Sequence, residues 1–241
     1  MNPSLKLSLY FLLLIFTIAI SCKKEVAALP PMSAANPPTA KTYAYLALGD
    51  SYTIGTEIDP MLTYPIQIVA LLKSQGVNLS APDIIAHNGW TTTDLINAIA
   101  ISNNTKTYHM VSLLIGVNNQ YQGKSKDQFR TEFATLVKTA VSYAGKNAKN
   151  VFILSVPDYG VTPNYSNSMQ SIGADIDAFN LIIQDESQKA GVVYVDITTV
   201  SRTAYNMPDL IAGSGPHFSG KMQAKWANLS LPVAKSLLEK Q

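Results

Sequence analysis

The stretch Tyr45-Leu46-Ala47-Leu48-Gly49-Asp50-Ser51-Tyr52-Thr53-Ile54-Gly55 decides how the rest of the chain is read. An apolar run ends abruptly at a Gly-Asp-Ser turn, and a helical pattern begins about ten residues later. This is how an α/β protein presents a nucleophile, with a small side chain at the carboxyl end of a buried strand. Glycine lets the chain turn there without a Cβ clash. Asp and Ser are also ordinary turn and helix-cap residues, so the triplet needs support from the rest of the chain.

Working outward, Tyr43 to Leu48 reads as the first strand. Leu62 to Lys73 follows with apolar residues at helical spacing, and Gln75-Gly76 ends it. Asp83 to Ala86 is a short second strand, followed by His87-Asn88-Gly89-Trp90 and a helix capped within Thr91 to Asp94. Tyr108 to Ile115 is the clearest buried strand and ends in Gly116-Val117-Asn118-Asn119. Ser125 to Ala144 is a long amphipathic helix, and Val151 to Val156 is a fourth strand. Ile172 to Lys189 is helical, Val192 to Val195 is a fifth strand, and a last helix runs from about Ser219 to Leu238.

Strands alternating with helices call for an α/β fold, a parallel sheet with helices on both faces. Ligand sites in such sheets lie beyond the carboxyl ends of the strands. Ser51, Gly89 and Asn118 each follow a different strand, so all three are expected along one edge.

The chain has 241 residues, 47% hydrophobic and 14% charged, enough for one sizeable domain with a real core. The formal net charge is +2 and the charges are scattered, with no basic, aromatic-interleaved patch for nucleic acid.

Residues 1–21 read as a signal peptide: a start with Lys6, then an apolar run from Leu7 to Ile20, too short to span a bilayer comfortably. The run ends at Ala19-Ile20-Ser21-Cys22, at the chain's single cysteine. This end resembles a bacterial lipoprotein signal, which implies that Cys22 becomes the lipidated first residue of the mature chain. Simple secretion with cleavage nearby is the alternative. Residues 22–41 carry Pro30, Pro31, Pro37 and Pro38 among alanines and small polar residues and read as a flexible tether. Residues 42–241 form the folded domain.

Four separated blocks now line up. They are Gly49-Asp50-Ser51, Asn88-Gly89-Trp90, Gly116-Val117-Asn118 and Gly215-Pro216-His217. In order, spacing and place after successive strands they resemble the SGNH (GDSL-type) hydrolases, over residues from about 43 to 239. The resemblance implies a three-layer α/β/α, flavodoxin-like fold with a five-stranded parallel sheet. It further implies Ser51 as nucleophile, His217 as base, and an oxyanion hole from the Ser51 and Gly89 N–H groups and the Asn118 amide, with no metal and no cofactor. Acyl transfer to water needs these three kinds of group.

Taken singly, Asn118 reads equally as a turn residue and His217 as a surface-loop histidine. His109, at the start of a buried strand, reads as structural, and His87 as a neighbour of the crevice. Trp90 and Tyr159 read as pocket walls.

The chain departs from the family at two places. Ser214 stands where an Asp usually precedes the histidine by three residues, and Asn119 stands where an Asp often follows the asparagine. The nearest upstream carboxylate is Asp209, and a backbone carbonyl is the other candidate to orient His217.

The expected function is a lipid-anchored esterase of the bacterial cell envelope, periplasmic or on the outer-membrane surface. Its substrate would be a small-molecule or glycan ester or a lysophospholipid, with the membrane met through the anchor alone. A weakened binding lipoprotein for an acylated glycan or lipid is the alternative, on the strength of Ser214. A nucleotide binder is expected to fit the strand order poorly, and no Gly-rich phosphate loop follows the first strand. Cys22→Ala is predicted to leave the protein unlipidated and to abolish detergent partitioning in a bacterial host. A wild-type protein that already fractionates as fully soluble contradicts the lipoprotein reading.

Overall fold

The computed structural model describes residues 41–213 and 215–240. The signal-like run, Cys22, the tether up to residue 40, and Ser214 lie outside the described residues. Five strands, β1 (Tyr45–Gly49), β2 (Asp83–Ala86), β3 (Met110–Leu114), β4 (Val151–Leu154) and β5 (Val193–Val195), form one sheet. Their order is β2-β1-β3-β4-β5, and every pairing is parallel.

The helices are α1 (Ser51–Ile54), α2 (Tyr64–Ser74), α3 (Thr92–Ser102) and α4 (Val117–Tyr121). They continue as α5 (Lys126–Tyr143), α6 (Met169–Lys189), α7 (Thr198–Ser201) and α8 (Gly220–Glu239). α2 packs along α8, while α3, α5 and α6 pack in a row. Right-handed crossovers put those two groups on opposite faces of the sheet. The three-layer α/β/α architecture is therefore present.

Covered on both sides, β1, β3 and β4 are buried at every residue, whereas the edge strand β2 is partly exposed. This is why their sequences are near-continuous apolar runs rather than alternating ones, the buried Ser112 of β3 being hydrogen-bonded to the Tyr45 and Tyr64 hydroxyls. Phe129, Phe133 and Phe179 meet on the α5/α6 side, and Trp226 of α8 is fully buried on the other.

Three expectations are corrected. The Gly-Asp-Ser turn leads straight into a helix, since α1 begins at Ser51 itself. Asp50 caps it through its side chain, which sequence periodicity over four residues cannot reveal. The loop after β3 is likewise helical, as α4. Finally, the observed strand order is the one shared by flavodoxin-like nucleotide binders. Strand order therefore does not exclude such a binder, and only the missing Gly-rich loop argues against it.

Candidate active site

The site is built from the carboxyl end of the sheet. Gly49 closes β1, where a Cβ would stand 2.1 Å from Thr53 Oγ1 and 2.4 Å from the Leu114 carbonyl. Asp50 then caps α1, its Oδ1 accepting from the Tyr52 N–H at 3.0 Å. Ser51 is the first residue of that helix and is 4% exposed. Its N–H is among the first-turn donors that an α-helix leaves without an intrahelical partner.

Tyr52 carries the next link. Its hydroxyl donates to the Pro216 carbonyl at 2.9 Å. Its ring packs against those of His217, Phe218 and Trp226. Gln223 of α8 fixes the backbone beneath, donating to the Tyr52 carbonyl and accepting from the Tyr64 N–H. The His217 segment is itself a hairpin-like loop closed by an Ile211–Phe218 bridge and by the Ala212 N–H on the His217 carbonyl.

On the opposite side, two adjacent asparagines of α4 hold the turn after β2. The Asn118 Nδ2 donates to the Trp90 carbonyl at 2.9 Å, leaving its second amide hydrogen for another acceptor. Asn119 is buried, with Oδ1 accepting from the Thr92 N–H and Nδ2 donating to Thr92 Oγ1. The Thr92 hydroxyl in turn donates to Glu132. That chain explains the second departure from the family pattern. With the Thr92 proton committed to Glu132, residue 119 must donate to Thr92 Oγ1, and an ionised Asp cannot donate.

Ser51, Asn118 and His217 line one cavity of about 200 Å³. Gly89 sits on the exposed turn beside Asn88, which lines the same cavity. Gly89 has φ of +81°, a conformation glycine adopts freely, and a Cβ there would meet open space. Tyr121, Tyr159 and Tyr165 form one wall, with ring centroids 4.9 to 6.3 Å apart. Of these, sequence reasoning anticipated only Tyr159.

Trp90 instead stacks on the exposed His87 at 5.5 Å, and His87 Nδ1 lies 2.9 Å from the Asn88 carbonyl. His109 Nδ1 accepts from the Ala44 N–H, the structural role expected of it. A larger groove of about 350 Å³ lies between α5 and α6 but is lined by Lys138, the ion-paired Glu186 and Lys189, and apolar side chains. Among the described residues no three His, Cys, Asp or Glu side chains gather as a metal site.

Two carboxylates bear on what orients His217. Asp209 is engaged on the surface by Lys221 at 2.9 Å, which holds its carboxyl below the usual range. The side chain that faces His217 is Glu57, with Oε2 3.4 Å from Nδ1. Nothing in the sequence pattern singles it out, because a Glu in a polar turn reads as solvated surface.

Residues 47–225 match the model of the GDSL-like lipase/acylhydrolase family. Among curated protein sequences none matches the chain significantly. Solved structures with the same fold include the crystal structure of TesA, with a TM-score of 0.64 at 17% identity, covering 82% of this chain and 100% of that one. Another is Axe2, an acetylxylan esterase from Geobacillus stearothermophilus, with a TM-score of 0.64 at 16% identity and coverage of 80% and 94%. A third is the psychrotrophic esterase EstA from Pseudoalteromonas sp., with a TM-score of 0.61 at 15% identity and coverage of 82% and 99%.

Asp50 gives this site a pH signature. Burial pushes its carboxyl up from 3.8 to about 7, against the opposing hydrogen bond from the Tyr52 N–H. Folding thus favours the protonated form, so the stability from this group is full below about pH 4 and lost as pH rises through 7. Asp50→Asn keeps an acceptor for the Tyr52 N–H and stays neutral. Its melting temperature should match wild type near pH 4 and exceed it by several degrees at pH 8, at ~2–4 °C per kcal/mol. A difference that does not vary with pH contradicts the raised carboxyl.

Proposed function

We propose, for a chain that belongs to the GDSL-like lipase/acylhydrolase family, a serine esterase that works through an acyl-enzyme on Ser51. The observation that carries this reading is the meeting of Ser51, Asn118 and His217 on one small cavity. Ser51 Oγ attacks the ester carbonyl while His217 Nε2 takes its proton. The tetrahedral intermediate collapses, the acyl–oxygen bond breaks, and the leaving alcohol receives that proton. Water then attacks the acyl-serine as His217 Nε2 takes its proton; the acyl–Ser51 oxygen bond breaks, the carboxylic acid leaves and Ser51 Oγ regains the proton. The developing oxyanion is held by the N–H groups of Ser51 and Gly89 and by the second amide hydrogen of Asn118.

A cavity of about 200 Å³ falls below the size that buries a drug-sized ligand, which favours a short acyl group. The tyrosine wall suits the alcohol part of an acylated glycan or a lysophospholipid headgroup, with the glycan ester preferred because the cavity offers no room for a long chain. The lipid anchor at Cys22 and the envelope location belong to the same proposal, supported by the signal-like run and its single cysteine.

Two substitutions test the chemistry. Ser51→Ala should abolish hydrolysis of 4-nitrophenyl acetate while leaving the thermal melt intact; wild-type turnover in that variant contradicts the assignment. Asn118→Ala should lower kcat by roughly 10²–10³ with little change in KM. A change confined to KM would make Asn118 a ground-state binding residue.

A further inference from the structure

A histidine that takes a proton on one ring nitrogen needs the other to carry a hydrogen held by an acceptor. His217 Nδ1 is buried and lacks a hydrogen-bond partner. Residue 214, where the family usually supplies an Asp, is Ser in this chain. The group facing Nδ1 arrives from the other end of the site, where Glu57 Oε2 stands 3.4 Å away. That contact is within ion-pair reach but not aligned as a hydrogen bond. Such contacts in free enzymes commonly tighten only as the transition state forms.

Three observations bear on why the carboxylate is there. Glu57 has φ of +69°, a left-handed conformation that is uncommon for a non-glycine residue and that concentrates at functional sites. Its carboxylate lies against the two glycines flanking residue 214. A Cβ at Gly213 would stand 3.0 Å from Oε2, and one at Gly215 would stand 3.2 Å from Oε1. Among the described residues, His217 is the sole ionisable partner within ion-pair distance of Glu57.

We propose that Glu57, six residues beyond the nucleophile, is the positioning acid of this site and replaces the Asp missing at position 214. This rests on the reading of Ser51 and His217 as nucleophile and base. As Nε2 takes the Ser51 proton, Nδ1–H donates to Glu57 Oε2, and the carboxylate stabilises the imidazolium without being protonated. When the leaving alcohol takes the proton from Nε2, the imidazole returns to its starting tautomer.

Among the described residues, the titratable groups against the imidazole or lining its cavity are Tyr52, Glu57, Tyr121, Tyr159 and Tyr165, and the Asp50 and Asp158 carboxyls act on Tyr52. Of the three carboxyl groups, Glu57 is the one within ion-pair distance of His217. The acid has thus moved from the loop of the base to the loop of the nucleophile, and the glycines at 213 and 215 leave it space.

The test compares wild type, Glu57→Gln and Ser214→Asp, with 4-nitrophenyl acetate as substrate and NMR titration of the His217 ring as a second readout. Glu57→Gln should lower kcat about 10²–10³-fold with little change in KM, less than the ~10⁴ seen for a fully buried acid. The acid limb of its kcat/KM profile and the His217 titration should both move to lower pH, because losing an anion disfavours imidazolium. Ser214→Asp alone should change kcat by less than about 3-fold, since the post is already filled. An unchanged His217 titration in Glu57→Gln, or a gain of ~10-fold or more from Ser214→Asp, overturns the proposal. A wild type that hydrolyses no ester while Glu57→Gln still shifts the His217 titration would sink the esterase reading and leave the Glu57–His217 coupling standing.

Discussion

Tyr52 joins two parts of the chain that are 164 residues apart, its hydroxyl donating to the Pro216 carbonyl one residue before His217. The same residue follows Ser51 and has its N–H held by Asp50. One side chain thus ties the His217 loop to the Ser51 turn, and the buried rings of Phe218 and Trp226 stiffen the join. An esterase needs its reacting groups placed to well under an ångström. Here that placement comes from a strand end, a one-turn helix and an aromatic cluster rather than from the loops themselves.

The other half of the site depends on a polar clasp. Asn118 and Asn119 leave α4 in succession and take hold of the turn after β2 at Trp90 and Thr92. One amide faces the cavity while its neighbour is spent on structure. These bonds anchor the chain on the carboxyl side of the exposed Gly89 turn. The clasp also accounts for Asn119, whose amide suits the hydroxyl chain running to Glu132.

Much of this was legible in the sequence. Largely apolar runs between amphipathic helices carry the parallel sheet, and the places where those runs stop carry Ser51, the Gly89 turn and Asn118. What sequence could not reveal has two physical causes. The cap at Asp50 serves a helix too short to show periodicity, and the meeting of Glu57 with Gly213, Gly215 and His217 joins segments more than 150 residues apart. Ser214 pointed to a weakened site only while the acid was sought near the histidine in sequence. On the proposed role of Glu57, that reason for preferring a binding protein falls away.

The central claim is that the strand-end turn makes Ser51 an activated nucleophile, and covalent trapping addresses it most directly. Wild-type protein treated with a fluorophosphonate and digested for peptide mass analysis should carry one adduct, on the peptide that contains Ser51, and the Ser51→Ala variant should carry none. An unlabelled protein, or an adduct on any other serine, would contradict the account.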